Sequence, residues 1–541
     1  MALGESSGAG LLVRGLVDIG IDTVFSLSGN QIMPVYDALR DAPIRLIHAR
    51  HEGAAVYMAE AAAQATDSVG VALLTAAPGF ANGLSAMLSA RESETPILVL
   101  SGDAPIGRAG RGAFQEMDQC AAAKPLVKAS FRLIDPESLA EDVARAAALA
   151  GQGRPGPVHL ALPDDVLKET VFRASKRSTL PVVKELDGIS GSSLDVMRTE
   201  LLSSQKPIIL LGPAFCRPRW KPLLSQIVER LGVPVVPFES PRGLKAPRLG
   251  RMASCLSEAD LVIALGKPLD FMVAFGEVPT LAQDCRILAV HADEHLLSRD
   301  QTVHHERWVL GAQANPFASL HALLEGGEQH RNGDWCRRIL AAISHRPAHW
   351  FDPHDTTETI YPTDLARAVQ PLLSTWDDPA LIIDGGEIGQ WSQALLDARV
   401  SLINGPSGAI GASLPYAIAT RAVRPNHPVV AIMGDGTAGF YLAEFETAVR
   451  EELPFIAIVG NDAKWNAEHQ IQLRDYGPDR LYGCTLTAAR YDLAAAALGG
   501  HGEFVTRRSD LEAALGRAVE SGKPSCVNVL IEGWPAPTNH I

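Results

Sequence analysis

Short apolar runs alternate with longer amphipathic stretches along the whole chain. In the first part the runs TVFSL, IRLIHA, VGVALLT, PILVLSG and PVHLAL read as strands. EGAAVYMAEAAAQAT, between two of them, reads as a helix. Nearly uninterrupted apolar strands separated by helical segments predict α/β units with parallel sheets covered on both faces. The pattern restarts twice, with PIILLG, VPVVPF, DLVIALG and RILAVHAD, then with ALIIDGG, VVAIMGDG, FIAIVGND and CVNVLI. The polar stretch near 174–192 and the charged, His-rich stretch from about 325 to 358 read as linkers, the second with a short helix at WCRRILAAI. The expected division is therefore residues 1–175, 190–330 and 355–541, with the first and third parts similar in fold.

A length of 541 residues agrees with three domains. A net charge of −14 argues against a nucleic-acid surface. No run of 18 apolar residues is present, so no membrane-spanning helix is expected. The start MALGESSGAG has neither a basic n-region nor an apolar h-region, unlike a secretory signal. Cysteines 120, 216, 255, 285, 336, 484 and 526 are dispersed without a CxxC, which points to reduced thiols and a cytoplasmic location.

The most informative chemistry is the segment GDGTAGFYLAEFETAVREELPFIAIVGND. An apolar strand precedes it, its middle is helical, and a second strand leads to the last pair. This brings Asp435 and Asp462 to one edge of a sheet, where two oxygen ligands suit a hard cation such as Mg²⁺. Gly434 and Gly436 let backbone N–H groups approach a diphosphate at a helix start. Glu52 follows His51 at the start of the EGAAVYMAEAAAQAT helix.

The whole unit resembles the GDG…NN signature of thiamine diphosphate enzymes, and the resemblance extends along essentially the entire chain. FSLSGNQIMPVYDAL looks like the start of acetolactate synthase catalytic subunits, and HisGlu at 51–52 lies where that family has its cofactor-activating glutamate. The resemblance implies a three-domain α/β fold, each domain a parallel sheet flanked by helices. It also implies a C–C lyase or carboligase acting on 2-oxo acids, aldehydes or acyloins through a C2 carbanion and an enamine. Glu52 would touch N1′ of the aminopyrimidine, where a buried carboxyl shares a proton.

The resemblance places the other roles residue by residue. Asn82 closes a PGxxN turn that meets the cofactor. Gln115, in the FQE segment, would approach the substrate side from a partner subunit. Glu387 and Ile388 would meet the diphosphate together with Gly434, Asp435, Gly436 and Thr437. The Gly408 carbonyl would accept from the 4′-amino group, and Ile410 would wedge the cofactor into a bent shape. Asp435, Asp462 and the Lys464 carbonyl would hold Mg²⁺. The site would then lie between subunits of a homodimer or homotetramer.

This chain departs from the pattern in several places. Aspartate stands at 462 where the family usually has asparagine. Gly29-Asn30-Gln31 replaces Gly-Gly-Ala of acetolactate synthases, and benzaldehyde lyase has histidine at the position of Gln31. Trp465 to Ile471 align on the pocket helix of benzaldehyde lyase, with Ala467 and Ile471 toward the substrate. His469 is there a proton shuttle or an ordinary surface-helix histidine. GKPLDFMVAFG resembles a segment of oxalyl-CoA decarboxylases and 2-hydroxyacyl-CoA lyases. The cationic runs at 217–221 and 241–251 could hold the ADP part of CoA or another nucleotide, or be solvated loops. A 2-hydroxyacyl-CoA lyase or oxalyl-CoA decarboxylase is the alternative enzyme. A cofactor-binding protein without turnover and an FAD-bound oxidase are alternatives of other classes.

Overall fold

A computed structural model describes residues 6–172, 177–182, 184–325, 333–352 and 358–538. The expected linkers therefore fall partly outside the described residues, at 174–176, 183, 326–332 and 353–357.

Three sheets with only parallel pairs form the frame. The first contains β1 (Thr23–Ser26), β2 (Arg45–His48), β3 (Gly70–Leu74), β4 (Ile97–Asp103), β5 (Ala129–Arg132) and β6 (Val158–Pro163), in the order β2-β1-β3-β4-β6-β5. The central sheet contains β7 (Pro207–Leu211), β8 (Val235–Pro237), β9 (Leu261–Leu265), β10 (Arg286–His291) and β11 (Trp308–Gln313), in the order β8-β7-β9-β10-β11. The third contains β12 (Ala380–Ile383), β13 (Val400–Ile403), β14 (Val429–Gly434), β15 (Ile456–Asn461), β16 (His501–Val505) and β17 (Ser525–Leu530). Its order, β13-β12-β14-β15-β17-β16, repeats that of the first sheet strand for strand. The expected kinship of the first and third parts is thus visible in topology. A short antiparallel pair joins Ser6–Ser7 to Thr170–Val171 and ties the ends of the first unit together.

Five helices position the functional groups or border a cavity: α1 (Glu52–Thr66), α2 (Gly333–Ser344), α3 (Gly386–Leu395), α4 (Ser413–Val423) and α5 (Asn466–Tyr476). The helix expected at WCRRILAAI lies within α2. Helix α1 is buried throughout from Glu52 to Ala63, because its alanines leave no bulky face to keep it off its neighbours. One apolar cluster runs from its Ala55, Met58 and Ala62 to Leu414, Ala417 and Ile418 of α4, so the first and third units share a core. The rings of Tyr57 and Tyr416 meet edge to face across this seam, 6.1 Å apart. Among the described residues no helix is long and apolar enough to cross a membrane.

A buried carboxyl also lies in this seam. Glu60 of α1 is fully enclosed, and burial pushes its carboxyl from 4.5 up to about 7 against the opposing hydroxyls of Tyr416, Ser89 and Ser93. The folded state therefore holds this proton to higher pH than the unfolded chain does. Stability is lost as pH rises from about 4.5 to about 7, and the loss is complete above that window. Glu60→Gln should melt higher than wild type above pH 7, by the equivalent of ~3 kcal/mol. The margin should shrink toward pH 4.5, as followed by thermal unfolding at a series of pH values; a margin independent of pH would contradict the assignment.

Candidate active site

Every predicted site residue of the first unit lies in a loop or short helix, or at a helix start, after the C-terminal end of a strand. That edge is where open parallel sheets bind ligands. Gln31 follows β1, Glu52 follows β2 and Thr75 follows β3. Gln31 is buried and linked on both sides: Thr75 Oγ1 donates to its Oε1 at 2.9 Å, and its Nε2 donates to Gln115 Oε1 at 2.9 Å. Asn82 Nδ2 donates to Glu52 Oε2 at 2.9 Å. Gly79 lies between the two groups, since a Cβ there would come within 2.6 Å of Thr75 Cγ2 and 3.0 Å of Glu52 Oε1. The structure thus gathers Glu52, Asn82, Gln31 and Gln115 around Thr75, a residue the sequence motifs did not single out. Gln115 and Ala77 adopt φ of 57° and 45°. Such strain in non-glycine residues concentrates at functional sites.

Long-range partners position Glu52. Its neighbour Arg50 donates its backbone N–H to Glu444 Oε1 of the third unit at 2.9 Å. His51 caps α1 by accepting from the Gly53 N–H at 3.0 Å, and its ring meets Tyr441 edge on at 5.4 Å.

The third unit builds a separate cavity. Gly385, Glu387, Ile388, Ile410, Gly434, Asp435, Gly436, Thr437, Asp462, Lys464, Trp465, Ala467 and Glu468 all line it, and none of its lining residues comes from the first unit. Asp435 is buried at the end of β14, and its Oδ2 finds no hydrogen-bond partner among the described residues. Burial pushes its carboxyl up to about 6. Burial, then the Asp435 charge, pushes Asp462 up to about 7, with Lys464 opposing both. Two carboxylates facing one small, partly dry space repel each other, and an added divalent cation resolves the conflict. Among the described residues no group of three or more His, Cys, Asp or Glu side chains could hold a metal. A cation here would take its remaining ligands from main-chain or ligand oxygens.

The neighbouring asparagine has a different task. Asn461 is buried, its Nδ2 donates to Ala489 O and Asn528 Oδ1 at 3.1 Å, and its Oδ1 accepts from the Ala463 N–H. It fixes the turn that presents Asp462, with Ala463 at φ 55°. Gly436 is required by its neighbour: a Cβ would lie 2.6 Å from the Trp465 ring.

Asp384 organises two loops at once. Fully buried, it accepts from the N–H groups of Gly385, Gly411 and Ser413 at 2.7–3.1 Å, joining the loop after β12 to the turn that carries Ile410. Ile410 Cγ2 in turn packs 2.9 Å from where a Cβ on Gly385 would sit. Gly408 lies in the same turn, with φ 67°. The sequence singled out Glu387 and Ile388, which follow in the same segment, but not Asp384.

Glu387 is buried and held upward by desolvation, with Arg242 of the central unit 3.3 Å away and opposing that shift. His469 does not line the cavity, although Ala467 and Glu468 of the same helix do. Its Nδ1 is enclosed without a partner among the described residues, and Ile471 is largely exposed. The cationic runs of the central unit are mostly engaged with other units. Arg217 and Arg219 pair with Asp67, Lys221 donates to Ala398 O and Arg399 O, and Arg248 donates to Ser401 Oγ.

Comparison with known proteins shows which proteins this chain resembles. Residues 6–122 match the model of the thiamine pyrophosphate enzyme N-terminal TPP binding domain, and residues 384–529 match that of the C-terminal TPP binding domain. A probable acetolactate synthase of Mycobacterium bovis is 32% identical, over 96% of this chain and 95% of its own length. Oxalyl-CoA decarboxylase of Escherichia coli is 29% identical, over 97% and 95%. 2-hydroxyacyl-CoA lyase 2 of Homo sapiens is 28% identical, over 95% and 88%.

Replacing Asp384 by Asn should destabilise the fold by ~1–3 kcal/mol, because an amide cannot accept from all three N–H groups. Urea unfolding checks this; unchanged stability would mean that the loops do not depend on the carboxylate.

Proposed function

This chain belongs to the thiamine pyrophosphate enzyme family, and from that premise we propose that it is a thiamine diphosphate- and Mg²⁺-dependent carbon–carbon lyase or carboligase acting on small carbonyl compounds. The observation that carries the reading is Glu52, buried at the start of α1 and held by Asn82 beside the Thr75–Gln31–Gln115 group.

The residues present fit the cofactor. The unpartnered Asp435 Oδ2 and the repelling Asp462 carboxylate call for a cation. Asp435, Asp462 and the Lys464 carbonyl would hold Mg²⁺. Gly434, Gly436, Thr437, Glu387 and Ile388 would surround the diphosphate, and Gly408 and Ile410 would receive the aminopyrimidine. When bound, the cofactor supplies a nucleophilic carbon and an electron sink for the bond that forms or breaks.

The chain's own residues do the rest. Glu52 would hold the proton shared with the aminopyrimidine ring nitrogen. Gln31 and Gln115, neutral at all ordinary pH, would orient a carbonyl or hydroxyl by hydrogen bonds without taking its proton. Among the described residues the hydrogen-bond partners of Gln31 are the neutral Thr75 and Gln115, which favours uncharged aldehydes and acyloins over 2-oxo acids as the bound partner. His469 stands off the cavity and is given no proton-transfer role.

Glu52 and the metal carboxylates sit at the edges of two different sheets, and the third-unit cavity has no first-unit lining. This supports an active site completed by a second copy, in a homodimer or homotetramer. All seven cysteines are free, which supports a cytoplasmic location.

Incubation with thiamine diphosphate, Mg²⁺ and a panel of benzoin, acyloins, aldehydes, pyruvate, oxalyl-CoA and formyl-CoA, read by mass spectrometry, tests the assignment. Cleavage or ligation of the uncharged acyloins and aldehydes is expected to dominate. Glu52→Gln should lower that turnover by about 10²- to 10⁴-fold with cofactor affinity retained by calorimetry. Turnover only of the CoA thioesters would establish the alternative lyase. Asp462→Asn should keep both Mg²⁺ and cofactor, since it removes a repelling charge and leaves an oxygen ligand. Loss of metal from that variant, measured by elemental analysis, would show that the second charge is needed.

A further inference from the structure

A cavity of about 470 Å³ lies away from the cofactor site, bounded by edge strand β8, helix α2 and the C-terminal end of α3. Phe215 and Cys216 after β7 and Pro237 to Ser240 at the end of β8 line it, whereas Gly212, Gly266 and His291, nearer the ends of β7, β9 and β10, do not. It therefore lies at the β8 edge of the sheet and not over the central strands, where open sheets take nucleotides. Val236, Phe238, Leu340 and Ile343 give it an apolar body, and its volume is that of a small-molecule site.

Its polar groups are unbalanced. Three cations, Lys221, Arg248 and Arg346, line it with two carboxylates, Glu239 and Asp397. Arg248 pairs with Glu239 at 3.1 Å. Lys221 donates only to main-chain carbonyls, Ala398 O and Arg399 O, at 3.1 and 2.8 Å. Arg346 does the same toward Ala394 O, Ile343 O and His345 O, at 2.6–2.8 Å. Neither forms an ion pair among the described residues, so one positive charge is left over. Gln393 supplies an independent sign. It is 3% exposed, lines the cavity, and its Nε2 has no hydrogen-bond partner among the described residues. A buried amide donor without an acceptor costs free energy that a ligand oxygen would recover.

We propose that this cavity is a second small-molecule site, for a monocarboxylate with an apolar body. The carboxylate accepts from Gln393 Nε2 in the field of Lys221 and Arg346, and the aliphatic or aromatic part fills the space between β8 and α2. A diphosphate fits poorly, because most N–H groups of Lys221 and Arg346 are already directed at main-chain carbonyls and the net charge of the lining is only one positive. The site also adjoins the cofactor cavity mechanically: Glu387 at the other end of α3 lines that cavity, and Arg242, which binds Glu387, lies between cavity residues Ser240 and Gly243.

Calorimetric titration of the thiamine diphosphate–Mg²⁺ holoenzyme with octanoate and 4-phenylbutyrate tests this. One saturable site per chain is expected, with the neutral 4-phenylbutan-1-ol binding at least about tenfold more weakly. Gln393→Leu removes the donor, and Leu340→Trp fills the mouth at a partly exposed position. Each should weaken the carboxylates about tenfold while melting temperature and cofactor affinity stay unchanged. No saturable binding, equal binding of the alcohol, or affinity unchanged in both variants would overturn the proposal. Displacement of the carboxylate by ADP or coenzyme A would overturn it in favour of a nucleotide site.

Discussion

Helix α1 has no solvent face from Glu52 to Ala63, and this burial constrains much of the molecule. A helix this rich in alanine can be packed on all sides because its backbone approaches its neighbours closely. On one side it lies on the first sheet, and on the other it meets α4 of the third unit in a common core. The first residue of that helix is Glu52. Its position is therefore set by the same packing that joins the two units, and by Glu444, which accepts from the backbone two residues earlier. A side chain so placed cannot be shifted without disturbing a core, which is the rigidity that a positioned acid or base needs.

The first and third sheets share one strand order but present different chemistry at the same edge. In the first unit the strand ends carry Gln31, Thr75 and the Glu52–Asn82 pair, a chain of mostly neutral groups that satisfy one another. In the third unit they carry two carboxylates that do not satisfy one another. The same fold thus makes a self-contained hydrogen-bonded group in one copy and an electrostatically incomplete site in the other. The incomplete site is the one that needs a ligand.

The limits of reading this fold from the sequence follow sheet geometry. The strands absent from the apolar pattern are β5, β11, β13 and β16, and each is an edge strand. Three of them are only partly buried, so ASFR, WVLGAQ and HGEFV carry polar residues that interior strands exclude, whereas β13 (VSLI) is buried at all four positions and is not explained this way. Interior strands were legible because both their faces are buried. The site divides in the same way. Glu52, Asp435, Asp462 and the glycine turns stand in short contiguous motifs. Thr75, Asp384 and Glu444 were not singled out, although Asp384 and Glu444 stand inside quoted segments, because their importance comes from partners on other loops or in another unit. The Asn461-Asp462 pair shows a finer limit. Adjacent residues in one motif point opposite ways, Asn461 into the sheet to hold the turn and Asp462 into the cavity.

That division of labour bears on why an aspartate is tolerated at 462. The turn is held by Asn461 and by main-chain bonds from Trp465 to Cys484 and from Leu486 to Ala463, none of which involves the Asp462 side chain. Position 462 is therefore free to vary in charge without loosening the loop. What it changes is the field inside the cavity, where Asp435 already suffers from burial and Lys464 is the positive charge that opposes the shift of both carboxyls. On the proposed reading, a second carboxylate would raise the gain on binding a divalent cation, because repulsion between the two groups would be replaced by attraction of both to the metal. The same charge would oppose phosphates arriving with the cation, so on that reading it would shift the balance of binding from the diphosphate toward the metal rather than strengthen both.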